Sequence, residues 1–214
     1  MKFLNKKIIK EVQEMFADLD KKVTLVYFTQ EVECVYCRET HTLLEEIASV
    51  SDKIELKVYD FMENKDLAEK YGVDKIPATV ILEGEKDYGI KFYGIPSGYE
   101  FGSLIEAIKL VSTGKSLLQK DTIDYLKSID KDVHMQVFVT PTCPYCPQSV
   151  MIAHQMAYVN PKIKSDMVEA TEFPALSNKY NVMGVPRTVI NGDVYQEGAV
   201  PEQVIVEKIK EALK

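Results

Sequence analysis

The sequence predicts an α/β protein made of two copies of one unit, each a mixed central β-sheet covered by helices. Three observations carry that prediction. Two Cys-x-x-Cys turns, Cys34-Val35-Tyr36-Cys37 and Cys143-Pro144-Tyr145-Cys146, each follow a short apolar strand pattern and precede a helical one. The two turns lie 109 residues apart, and many other residues keep that offset: Lys53-Ile54 with Lys162-Ile163, Leu67 and Tyr71 with Leu176 and Tyr180, and Pro77 and Thr79 with Pro186 and Thr188. An offset of about half the 214-residue chain means two whole domains rather than a solenoid. Finally, the element signals come in the same order in both copies, helix–β–α–β–α–β–β–α.

In the first copy, Ile8, Ile9, Val12, Met15, Phe16 and Leu19 have helical spacing over residues 5–19. A strand over 23–29 leads through Gln30-Glu31-Val32-Glu33 to Cys34, and a helix from about 35 to 49 turns Leu43, Leu44 and Ile47 inward. Alternation in Ile54-Glu55-Leu56-Lys57-Val58-Tyr59 marks a half-buried strand, and Glu63 to Tyr71 reads as a short helix ended by Gly72. Ile76-Pro77 introduces a strand from Ala78 to Leu82, and Gly84-Glu85 turns it into a second through Tyr88 to Tyr93. A helix over 101–111 closes the unit. Ser112-Thr113-Gly114 then marks the boundary between domains 1–113 and 114–214, and it is short enough that the halves should pack directly together.

The second copy repeats this with a helix over about 116–129, a strand over 134–140 and only Pro141-Thr142 between Thr140 and Cys143. A helix over 144–158 follows, with Pro144 suited to its first position and Pro147 expected to remove an early intrahelical bond and bend it. A strand from Ile163 to Val168, a short helix from Phe173 to Tyr180, and a strand Thr188-Val189-Ile190 come next. Asn191-Gly192 makes a tight hairpin, Val194-Tyr195 returns, and a helix over about 201–213 ends the chain.

The bulk numbers narrow the function. A net charge of −7 and a pI near 5.1 argue against nucleic acid, which calls for a clustered basic face. No apolar stretch approaches the roughly 20 residues of a membrane span. The start, Met1-Lys2-Phe3-Leu4-Asn5-Lys6-Lys7, lacks the apolar region of a secretory signal, so a cytoplasmic location is expected. All four cysteines sit in the two turns, which reads as chemistry rather than a disulfide scaffold. Two thiols three residues apart can close a small ring. The positive end of the following helix favours the thiolate of the first. A free thiol of pKa near 8.5 is only about 3% ionised at pH 7, so that placement is a sizeable part of the chemistry.

These residues resemble the thioredoxin superfamily in tandem. More narrowly, the chain is similar over nearly its whole length to the two-domain protein disulfide oxidoreductases of thermophilic archaea and bacteria, also called glutaredoxin-like proteins. The carriers are Cys34-Val35-Tyr36-Cys37 with Ile76-Pro77, and Cys143-Pro144-Tyr145-Cys146 with Val185-Pro186. The resemblance implies two tandem thioredoxin-like domains. It also implies thiol–disulfide exchange on protein disulfides or dithiols without a bound cofactor, and a thioredoxin reductase is the candidate electron donor. Cys34 and Cys143 would attack, and Cys37 and Cys146 would resolve the mixed disulfide. It implies cis bonds before Pro77 and Pro186, each 43 residues after its first cysteine, leaving the backbone of Ile76 or Val185 free to pair with an extended substrate.

Departures from the thioredoxin pattern are equally specific. There is no tryptophan, and the strand leading to each site holds no acid, so the base for the second thiol is unassigned. Glu31 and Glu33 are candidates at the first site, against the blander reading of a solvated loop. Glu33 and Glu31 disfavour the Cys34 thiolate, whereas Cys143 follows neutral residues, and Arg187, after Pro186, is a candidate thiolate stabiliser or else a solvent-facing cation. The second site should therefore be the stronger. Rival readings are a glutathione-dependent glutaredoxin and, from another class, a metal protein using all four cysteines. Zinc ribbons separate their pairs by about 15–20 residues, far less than here, so no metal is expected. His41, His134 and His154 read as ordinary surface or half-buried histidines.

Overall fold

A computed structural model of the chain describes residues 3–214. Met1 and Lys2, the start of the stretch read for a leader, lie outside them. The first unit runs α1 (Lys6–Met15), β1 (Val23–Thr29), α2 (Cys37–Ala48), β2 (Ile54–Asp60), α3 (Lys65–Tyr71), β3 (Ala78–Glu83), β4 (Lys86–Tyr93) and α4 (Glu100–Thr113). The second repeats the order with α5 (Lys120–Lys127), β5 (Val133–Val139), α6 (Cys146–Val159), β6 (Ile163–Glu169), α7 (Pro174–Lys179), β7 (Arg187–Ile190), β8 (Val194–Glu197) and α8 (Glu202–Ala212). The helix expected over 116–129 is shorter, because Lys115 to Gln119 run as the connection between the halves.

The mixed four-stranded sheet expected of each unit is present, β2-β1-β3-β4 in the first and β6-β5-β7-β8 in the second, and the two are joined. The strands form a single eight-stranded sheet in the order β2-β1-β3-β4-β6-β5-β7-β8. Its junction is a parallel pairing of β4 with β6, from Ile90↔Ser165 to Tyr93↔Val168. The hydrophobic pattern of each half cannot show this, since β4 and β6 satisfy their own alternation whether or not they meet. One buried ion pair sits at the junction, Lys91 Nζ 3.7 Å from Asp166 Oδ1, both nearly inaccessible. Asp166 also contacts His134 Nε2.

Two cores cover the two faces, and both run through the junction. On one face, apolar side chains of α1, α2, α4, α5, α6 and α8 pack on Leu25, Tyr27, Phe92, Val137 and Met167. On the other, α3 and α7 cover Val26, Phe28, Tyr93, Phe138 and Val168. Leu43, Leu44 and Ile47 face inward from α2 as their spacing requires, each burial contributing on the order of 2 kcal/mol. His154 departs from the expectation for it. It lies on α6 at 1% exposure, its Nδ1 2.8 Å from Ser165 Oγ and its ring edge-on to Phe92. Burial drives its pKa down to about 3, so it stays neutral. The sequence around this histidine carries no sign that a second sheet half covers it.

Candidate active site: two redox turns on one sheet edge

Each Cys-x-x-Cys turn follows the carboxyl end of a strand. β1 delivers Cys34 and β5 delivers Cys143. β1 is antiparallel to β3, β3 to β4, and β4 is parallel to β6, which is parallel to β5. The two strands therefore run the same way, and both turns leave the same edge of the sheet with three strands between them. The four sulfurs do not converge, which removes the geometric basis for one ion held by all four. Cys34 is joined to Cys37, and Cys143 to Cys146, by disulfides whose Cα atoms are 5.5 Å apart in both cases.

The helices begin later than expected. α2 starts at Cys37 and α6 at Cys146, so Cys34 and Cys143 stand just before the first turn of their helices. This corrects the reading of both prolines. Pro144 lies in the turn before α6, and Pro147 occupies the first turn, where a missing N–H breaks no helical bond. At the second site the Cys146 N–H points at Cys143 Sγ, 3.1 Å away. Such a donor favours the thiolate once the bond opens.

Exposure also differs from expectation. Cys34 is partly exposed, but Cys143 is only 8% exposed, little more than Cys37 at 3%. Cys146 is fully buried. The neighbours explain the contrast: a four-residue acidic loop with Glu33 in the left-handed region lifts Cys34 outward, whereas Pro141-Thr142 holds Cys143 in. Glu31 and Glu33 are themselves exposed.

Ile76-Pro77 and Val185-Pro186 are cis. The Val185 carbonyl oxygen lies 3.7 Å from Cys143 Sγ, so this backbone borders the second disulfide. Arg187 does not point to solvent. It is 6% exposed, ion-paired with Glu197, and its guanidinium stacks 4.0 Å from the Tyr195 ring centre.

The segment after β4 belongs to the second site although its sequence does not say so. Gly94-Ile95-Pro96-Ser97-Gly98-Tyr99 crosses from the first unit to the second, where the Tyr99 N–H donates to the Pro141 carbonyl at 2.9 Å. Gly98 has φ +60°, and a Cβ there would collide with the Pro141 carbonyl. The Ile95 N–H donates to Glu172 Oε1 at 2.6 Å. This crossing brings in Glu100, the first residue of α4, only 1% exposed. Its Oε2 accepts from Ser103 Oγ at 2.6 Å while Oε1 has no partner among the described residues. Burial pushes its carboxyl up to about 7, the Ser103 bond opposing. Neither β1 nor β5 holds an acid, and Glu100 follows directly on Tyr99, whose N–H is tied to Pro141 ahead of the second turn. The first site has Tyr27 instead, whose hydroxyl donates to the Cys37 carbonyl at 2.7 Å.

Comparison with known proteins agrees with this geometry. Residues 19–106 and 133–211 match the family model described as the thioredoxin domain. A protein disulfide oxidoreductase from Aeropyrum pernix k1 is 32% identical, with a TM-score of 0.91 over 97% of this chain and 93% of that one. The NTD_N/C domain of alkylhydroperoxide reductase AhpF from Enterococcus faecalis (V583) is 30% identical, with a TM-score of 0.89 over 96% of this chain and 99% of that one. Among curated proteins, the NADH dehydrogenase of Bacillus subtilis (strain 168) is 29% identical over 78% of this chain. This chain spans about 30% of that relative's length.

Proposed function

From membership of the thioredoxin-domain family, to which this chain belongs, we propose that it is a thiol–disulfide oxidoreductase of protein substrates working through both turns. The observation that carries the proposal is the paired placement of Cys34 and Cys143 before a helix N-terminus, each followed by a buried partner. The thiolate of Cys34 or Cys143 attacks one sulfur of a substrate disulfide. A protein–substrate disulfide forms, and the other substrate sulfur leaves as thiolate and takes a proton. Cys37 or Cys146, deprotonated, then attacks the protein sulfur of that bond, releasing the reduced substrate and closing the protein disulfide. Run backwards, the sequence oxidises a dithiol.

Ile76 and Val185 present backbone beside their sites for an extended substrate, with Pro77 and Pro186 shaping that backbone. Our candidate for the acceptor of the Cys146 proton is Glu100, buried, raised to about 7, and next in sequence to Tyr99, which is tied to Pro141 ahead of the second turn. Arg187 has its charge engaged by Glu197, so its effect on the Cys143 thiolate is small. Its part is to hold β7, and with it Val185-Pro186, in place. The relative named NADH dehydrogenase joins a region like this one to further sequence, which supports a pyridine-nucleotide-linked reductase, a thioredoxin reductase among them, as electron donor.

The test is reduction of a disulfide in a small protein substrate by the dithiol protein. Serine at all four cysteines should abolish it. Cys143→Ser should remove most turnover and Cys34→Ser the lesser part, because the Cys146 N–H and neutral neighbours favour the Cys143 thiolate. The reverse ranking would show that the greater exposure of Cys34 outweighs these charges.

A further inference from the structure

α4 of the first unit and α6 of the second pack against each other over the junction, and a cavity of about 280 Å³ opens between them. Ala107 and Leu110 of α4 and Met151 of α6 give it apolar walls, and Leu117 of the connection borders it, 82% exposed. Neither unit alone would have this cavity, since each helix supplies one side. Most polar groups of the wall already have partners. Ser103 Oγ donates to Glu100 Oε2, Thr113 Oγ1 donates to the Lys109 carbonyl, and Lys109 pairs with Glu106. Gln155 Oε1 accepts from the Leu117 N–H and from Ser116 Oγ. Asp18 and Lys115 are exposed to water. His154 is the exception. It lines the cavity at 1% exposure, and its Nε2 has no partner among the described residues.

The repeat does not ask for this histidine. At the 109-residue offset its counterpart is Glu45, exposed on α2, and the counterpart of Ser165 is Leu56. Leaving a ring nitrogen unpaired inside a protein is costly, and an apolar pair at these two positions would avoid the cost. The neutral imidazole is bonded through Nδ1 to Ser165 Oγ, so Nε2 is an acceptor in one tautomer and a donor in the other. A hydroxyl answers both, because it donates and accepts. About 150 Å³ of dry cavity holds a benzene ring, so the space here takes a ring with a short substituent. The Met151 thioether favours an aromatic ring over an aliphatic one.

We infer that the cavity between α4 and α6 binds a small uncharged phenol, with its ring among Ala107, Leu110 and Met151 and its hydroxyl on His154 Nε2. The site stands apart from the redox turns. Cys146 and His154 lie eight residues apart on α6, about 12 Å along its axis, so no thiol takes part in the binding.

The experiment uses the full, oxidised chain with p-cresol and p-xylene, which share a shape and differ in one hydroxyl. Binding is read by NMR titration, with the ring nitrogens of His154 followed in long-range proton–nitrogen spectra. The cresol should bind about tenfold more tightly than the xylene, the worth of one hydrogen bond, and should move the His154 Nε2 resonance. The xylene should shift that resonance little. His154→Leu should erase the preference for the cresol while the xylene still binds. Ala107→Leu, which fills the cavity, should weaken both ligands and spare disulfide turnover. Should His154→Leu fail to fold, the nitrogen shift in the wild type decides. Equal affinities for the two probes, no binding of either, or cresol binding that leaves His154 Nε2 unmoved would each overturn the assignment.

Discussion

At the scale of single residues, the groups of the candidate sites differ in how far the sequence reveals them. The four cysteines and both prolines were legible because each type stands twice at one offset. Glu100 was not, because its burial depends on the first unit reaching across to the second. Its carboxyl, raised to about 7 by burial, gives a signed prediction. The raised value means the folded state holds a proton that the unfolded chain loses near pH 4.5, so the stabilisation from Glu100 is full below about pH 4.5 and lost as pH rises through 7. Glu100→Gln should therefore flatten the fall in stability between pH 4.5 and 7 by about 3 kcal/mol, read as denaturation midpoints across that range. The same variant should slow resolution at the second turn by roughly tenfold or more and remove an apparent pKa near 7 from its pH profile, measured in a Cys34→Ser background. Unchanged pH dependence would leave Glu100 a structural residue. Alkylation at pH 6.5 should label Cys34 and Cys143 before Cys37 and Cys146, with Cys34 favoured by exposure and Cys143 by its amide donor.

Elements were legible wherever periodicity alone decides them, and their boundaries moved where packing decides. The apolar spacing of Leu43, Leu44 and Ile47 fixes the buried face of α2 but not its first residue, which lies two later than the pattern suggested because Val35 and Tyr36 belong to the redox turn. The same shift turns Pro147 from a helix breaker into a first-turn residue. The Gly94–Tyr99 crossing had no periodic signal at all; Gly94 and Gly98, both at positive φ, were its trace in the sequence. Gly98→Ala combines a left-handed backbone with a collision against the Pro141 carbonyl. It should cost about 2 kcal/mol or more in unfolding stability and depress turnover at the Cys143 site well beyond that at Cys34, each read in the opposite cysteine variant. Equal losses at the two sites would mean that the crossing supports the fold without positioning the second turn.

For the whole molecule, the repeat announced two units, and their fusion came only with the structure. Because β4 pairs with β6 and both cores run through that pairing, unfolding should be a single cooperative transition, coincident by near- and far-ultraviolet circular dichroism. Residues 1–113 expressed alone would bare the β4 edge and the inner face of α4, and should associate in gel filtration. A stable monomer of that fragment would show that the junction is incidental. The junction also has a polarity. It joins the last strand of one unit to the strand that, in its copy, lies at the far edge, so the molecule keeps one free edge of each kind, β8 and β2. Nothing in that operation closes on itself; repeated from molecule to molecule, it would propagate a filament. The chain is blunted at one end by length, since β8 has four residues where β4 has eight. At the other end, Glu55, Lys57 and Asp60 place charges along β2. A β8 lengthened to match β4 would turn a two-unit molecule into the repeat of a fibre.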